Sequence, residues 1–210
     1  MRLLHSAPGA AHAAYHEAMS APTLKPMSVE EYMRTEEVNP FKREYVGGFV
    51  YALHGSNRAQ AGTTQAHAEI CSNLLAVLHP SARAGGCRIY VADMKLRIED
   101  VNVFYYPDLM VVCNSPRNPE ATYETAPCLL VEVISKSTAQ NDRLAKYAAY
   151  TALPSLQTYL IVEQTERRVY AYQREGKTWR LEELASSGSL NLPSLGRSLT
   201  LDEIYADVPV

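Results

Sequence analysis

A chain of 210 residues with 47% apolar and 20% charged side chains holds enough apolar material for one domain with a sizeable core. Its net charge of -3 excludes a surface coated in positive charge for non-specific nucleic-acid binding, but leaves room for a local basic groove. No apolar run approaches the roughly 20 residues of a membrane-spanning helix, so a cytoplasmic protein with no membrane partner is expected.

Residues 1–26 read as a poorly ordered tail, or as sequence upstream of a true start at Met19 or Met27. The Ala-rich middle hints at an export signal, but His5, His12, His16 and Glu17 interrupt any apolar segment. Residues 27–210 read as a single domain. Ser28 to Glu31 has the form of a capping box, which predicts a short helix to about Thr35. Gly47-Gly48 between two β-rich runs predicts a hairpin, with Glu44 on its first strand. Over residues 60–79, Ile70, Leu74, Leu75 and Leu78 recur at helical spacing, with Ala66 and Cys71 filling gaps; this helix is expected to end before Pro80.

One strand is expected from Cys87 to Ile98, and one from Val103 to Cys113 that carries Asp108. The nearly unbroken apolar run Leu129 to Ile134 reads as a central strand covered on both faces. A helix capped within Ser135–Thr138 should run to about Ala152. Strands LQTYLIVEQ, RRVYAYQRE and KTWRLEEL follow, and Thr200 to Glu203 opens a short terminal helix. The order predicts an α+β or α/β fold with a mixed sheet between helices. Cys71, Cys87, Cys113 and Cys128 are widely spaced and form no zinc-ligand pattern, so reduced thiols of a cytosolic protein are expected.

Two features carry chemistry. Asp108 heads one apolar run and Glu132 interrupts another, and a carboxylate inside such a run is costly unless it is paired or binds a metal. Two converging carboxylates suit a hard cation such as Mg²⁺ or Mn²⁺, and a lysine on the next helix, Lys146, could orient a water or offset charge on a phosphate. The plainer alternatives are acids that end their strands at the surface, and a routine helical ion pair of Asp142 with Lys146. Tyr150 reads as a packing residue or a buttress for Lys146. His67 reads as facing the metal edge or as capping an apolar face.

Taken together, the Glu44-Tyr-Val-Gly-Gly hairpin, the His67 helix, PDLMVVC, LLVEVISKST, Asp142-Arg143 with Lys146 and Tyr150, and LPSLQTYLIVEQ resemble the PD-(D/E)XK nuclease superfamily. In more detail they resemble the Uma-type "putative restriction endonuclease" family, over about Met27 to Ala206. The resemblance implies a restriction-endonuclease-like core with an N-terminal hairpin, and a Mg-dependent endodeoxyribonuclease. Asp108 and Glu132 would be metal ligands, with the Val133 carbonyl a third, and Glu44 would be a further acid near the metal. The strict spacing would put lysine at Ile134, so the resemblance moves that role to Lys146, with Lys136 a nearer alternative. DNA would be the substrate, met by Lys42, Arg43, Arg58, Lys95, Arg97 and Arg143 with Tyr105 and Tyr106 nearby, and cutting both strands would favour a homodimer. The alternative is a catalytically inactive nuclease-fold protein that binds nucleic acid or protein.

Overall fold

The computed structural model describes residues 25–53, 64–134 and 140–210. Residues 1–24 of the expected N-terminal tail, Arg58 and Lys136 lie outside the described residues. In chain order the elements are α1 (Val29–Glu36), β1 (Arg43–Val46), β2 (Phe49–Ala52), α2 (Gln65–Ala84), β3 (Arg88–Val91), β4 (Lys95–Ile98), β5 (Val103–Tyr105) and β6 (Leu109–Val112). Then come β7 (Tyr123–Glu124), β8 (Pro127–Ile134), α3 (Gln140–Thr151), β9 (Thr158–Glu163), β10 (Arg168–Glu175), β11 (Thr178–Ala185), β12 (Ser189–Leu192), β13 (Arg197–Thr200) and α4 (Leu201–Ile204).

Two sheets organise these elements. The larger runs β11-β10-β9-β8-β6-β3 and is mixed, because β8 pairs parallel with β9 and antiparallel with β6. The smaller runs β2-β1-β5-β4-β7. Side chains alternate across the larger sheet, as the pleat requires. Leu109, Val111, Leu129, Val131, Val133, Leu160 and Val162 face one core, closed by Ile70, Leu74 and Leu78 of α2 and by the C-terminal hairpin and α4. Met110, Val112, Leu130, Tyr159 and Ile161 face the other, closed by Ala149 and Tyr150 of α3 and by Leu96, Ile98, Val103 and Tyr105 of the smaller sheet. The mixed α+β architecture with flanking helices is therefore as expected, and β8 is central and buried.

Several local expectations are corrected. The two long strands expected over 87–98 and 103–113 are each broken in two and change sheets at the break: β3 to β4, and β5 to β6. Apolar residues flank both breaks, and the period of side chains does not report which sheet a strand joins. What makes the first turn is Ala92 at a φ of +53°, with its N–H donating to the Asp108 carbonyl. Helix α2 does not stop before Pro80 but runs on to Ala84 and ends at Gly85. Pro80 forgoes one helical hydrogen bond, while Leu78 and Ala82 on either side are buried against the sheet and hold the helix in place. The β12–β13 hairpin, unread in the sequence, covers one core through Leu190, Leu192 and Leu199.

The cysteine expectation also fails in part. Cys87 and Cys113 form a disulfide, whereas Cys71 and Cys128 are free thiols. The register explains it: Arg88 pairs with Val112, so the flanking residues Cys87 and Cys113 come face to face at the ends of β3 and β6. Among the described residues no helix is long and apolar enough to cross a membrane.

Candidate functional site

The site lies where the two sheets meet. Asp108 sits in the three-residue link between β5 of the smaller sheet and β6 of the larger. Leu109 pairs with Val131, and continuing that antiparallel register sets Asp108 opposite Glu132. The Val133 N–H donates to Asp108 Oδ2 at 2.7 Å, which fixes one oxygen of the carboxylate.

Glu132 points to the α3 face of the sheet, because it alternates with Val131 and Val133 on the opposite core. It is 7% exposed. Tyr150 Oη donates to Glu132 Oε1 at 2.7 Å, and Lys146 Nζ lies 3.4 Å from both carboxylate oxygens. These two residues are four apart on α3, so one face of one helix presents both to the same acid. Lys146 Nζ also lies 3.1 Å from Glu44 Oε1, brought in by β1 of the smaller sheet. Tyr105 places its ring beneath the ammonium, 5.6 Å from centroid to Nζ. The side chain of Asp142 lies outside the described residues. Lys146 is itself buried, which rules out an exposed surface pair. Tyr150 both packs, at 0% exposure, and holds Glu132 through its hydroxyl.

Burial pushes the Glu132 carboxyl up to about 7; the nearby Lys146 charge and the Tyr150 hydrogen bond lower it, and Asp108 and Glu44 raise it further. Burial likewise raises the Tyr150 phenol well above its ordinary value, so it stays a hydrogen-bond donor.

On the opposite side of Asp108 stands His67, in the first turn of α2. Thr64 caps that turn, its hydroxyl accepting from the His67 N–H. His67 Nε2 lies 3.2 Å from Asp108 Oδ1, and its Nδ1 lies 3.7 Å from Cys71 Sγ. The Asp108 bond, and after it the Cys71 contact, raise the imidazole well above its ordinary range. In the sequence Cys71 reads as a gap filler and Tyr105 as a residue near DNA; the four-residue spacing of His67 and Cys71 is the legible signal for the first, and nothing marks the second.

Asp108, Glu132, Glu44 and the Val133 carbonyl are oxygen donors, and three of the four are carboxylates drawn to one place. Such a donor set fits a hard divalent cation. Several of the expected DNA-facing groups are already engaged: Arg43 pairs with Glu36, Lys42 pairs with Asp93 at the surface, Arg97 bonds Asn102 and stacks on Phe104, and Tyr106 is buried with its hydroxyl on Glu36.

Two sheets joined through an acid-bearing link, with the second acid on the central strand, define a restriction-endonuclease-like protein. The chain belongs to the Uma2 family, described as "putative restriction endonuclease", whose model matches residues 29–202. It is similar to the "Uncharacterized protein slr1290" of Synechocystis sp., 35% identical over 188 residues that cover 89% of this chain and 94% of that one. "Uncharacterized protein sll1609" of the same organism is 32% identical over 169 residues, 79% of this chain and 92% of the relative. In fold, the chain matches the crystal structure of "a putative nuclease belonging to DUF820" from Anabaena variabilis with a TM-score of 0.68 and 15% identity, over 86% of this chain and 98% of that one.

Proposed function

We propose that the protein is a metal-dependent DNA endonuclease whose phosphodiester hydrolysis is carried by Asp108, Glu132 and Lys146. The observation that carries this reading is the meeting of buried Lys146 with buried Glu132 and Glu44 beside Asp108, delivered by three separate elements and the β5–β6 link. Isolated surface acids would not need a lysine taken out of water to join them. Membership of a family described as "putative restriction endonuclease", and likeness in fold to a protein titled "a putative nuclease", agree with it.

Asp108 and Glu132, with the Val133 carbonyl, would hold Mg²⁺ or Mn²⁺. When bound, such an ion lowers the pKa of a coordinated water and polarises a phosphate oxygen. The protein's own groups do the rest. The Val133 N–H and the Tyr150 hydroxyl each hold one carboxylate oxygen in place, which leaves the geometry preorganised. Glu132 and Glu44 hold the Lys146 side chain aimed at the acids, where its ammonium offsets negative charge building on the phosphate or orients the attacking water. Glu44 acts by positioning Lys146. DNA is the substrate, and cleavage of both strands calls for two copies of the chain, which a homodimer supplies.

The test is nicking of supercoiled plasmid by wild type with Mg²⁺ or Mn²⁺, with and without EDTA. Cleavage that EDTA abolishes, and that Asp108→Ala abolishes with the fold kept, is the expected result. A folded wild type that leaves plasmid intact in both metals moves the reading to a catalytically inactive nucleic-acid or protein-binding module.

A further inference from the structure

We propose that His67, Cys71 and Asp108 form a second donor set, which takes a borderline transition-metal ion of the zinc type. This proposal does not depend on whether the chain cleaves DNA. One imidazole nitrogen, one thiol and one carboxylate oxygen from these three residues lie within 4.8 Å of one another. Two of the residues come from one face of α2 at a spacing of four, and the third comes from the link between the sheets.

The spacing matches the chemistry. A tetrahedral zinc ion at about 2.0–2.1 Å from nitrogen and about 2.3 Å from sulfur sets those two donors roughly 3.6 Å apart. His67 Nδ1 and Cys71 Sγ stand 3.7 Å apart here. The Asp108 oxygen not held by Val133 faces the other nitrogen of His67, at 3.2 Å, so binding one ion by all three residues requires the imidazole to turn until a single nitrogen meets the ion that Cys71 and Asp108 share. Thiolate and carboxylate supply two negative charges for a dication, and imidazole with thiolate prefers zinc or cobalt over magnesium. Three protein donors leave the fourth tetrahedral position to water. His67 and Asp108 are each about a fifth exposed, so an ion can reach them from solvent. The Glu132–Lys146 side offers oxygen donors only. The two sets therefore differ in the metal they select while sharing Asp108.

The test is a titration of the full chain with Co²⁺ as a spectroscopic stand-in for Zn²⁺, followed by displacement with Zn²⁺. One equivalent of Co²⁺ should develop a thiolate-to-metal charge-transfer band, which Zn²⁺ abolishes and excess Mg²⁺ does not. Cys71→Ser should lose the band and at least about tenfold in Zn²⁺ affinity, since even residues that only support a ligand are worth that much. Cys128→Ser, which removes the other free thiol, should keep both. His67→Gln should weaken binding while the thiol remains. No charge-transfer band in wild type overturns the proposal, as does a band that survives Cys71→Ser or disappears in Cys128→Ser.

Discussion

The two sides of Asp108 are built differently. On the α3 side, Glu132, Lys146 and Tyr150 are nearly closed to solvent and each is tied to another by a hydrogen bond or ion pair. On the α2 side, His67 and Cys71 are half-buried and hold Asp108 through a single nitrogen. The buried side pays desolvation for preorganisation: its charges are fixed before any substrate arrives. The open side keeps its donors accessible, at the cost of a weaker hold.

That contrast can be broken most forcefully on the buried side. Replacing Asp108 or Glu132 by Ala should lower plasmid cleavage by about a hundredfold or more, the scale of losing a preorganised charge at a reaction centre; unchanged rates in either variant would remove that residue from the chemistry.

Lys146→Met should cost about 3–5 kcal/mol in urea denaturation at alkaline pH, because it strips a buried cation from two acids. Glu132 takes up a proton as pH falls below about 7, so the same variant should lose less in acid. A pH-independent loss would mean that Glu132 is not the acid Lys146 serves.

Tyr150→Phe keeps the ring packed edge-on between Tyr105 and Tyr159 and removes only the hydroxyl. The expected cost is about 1–3 kcal/mol, from leaving a buried acceptor short of a donor. A neutral substitution, read by the same denaturation, would show that the hydroxyl does not hold Glu132.

The open side should respond more gently and with the opposite sense of pH. The folded-state pKa of His67 is raised above its unfolded value of 6.5, so its pair with Asp108 adds stability that is fully present below pH 6.5 and is lost as pH rises toward about 10. Thermal unfolding of His67→Gln should therefore differ most from wild type in acid and converge with it in alkali. A constant difference would place the histidine's contribution in packing instead. The smallest effect belongs to the exposed pair of Lys42 with Asp93, where Lys42→Ala should change stability by roughly 0.5 kcal/mol or less.

How much of this was legible depended on whether a residue violated its local pattern. Asp108 and Glu132 did, as carboxylates inside apolar runs, and Glu44 was placed on the correct strand by the Gly-Gly turn beside it. Lys146 could be singled out only through family resemblance, since four residues after an Asp it looks like any helical ion pair. Cys71 satisfied the apolar rhythm of α2 and so was invisible as a donor. Nor could periodicity show the breaks at Ala92 and at Tyr106 to Asp108, because apolar residues stand on both sides of each break while the two halves join different sheets.

The sequence by itself determined the elements: the capped helices, the glycine hairpin, the buried central strand and the two acids that interrupt its neighbourhood. Local propensity and side-chain period depend only on near neighbours along the chain, so they can be read without a fold. Only the tertiary structure decided which elements met. Strand pairing brought Cys87 to Cys113 and Asp108 opposite Glu132; the alternation of β8 turned Glu132 toward α3; and the crossing of the sheets carried Glu44 to Lys146. Those contacts join residues far apart in the chain, and register, which fixes them, is set by the packing of whole sheets.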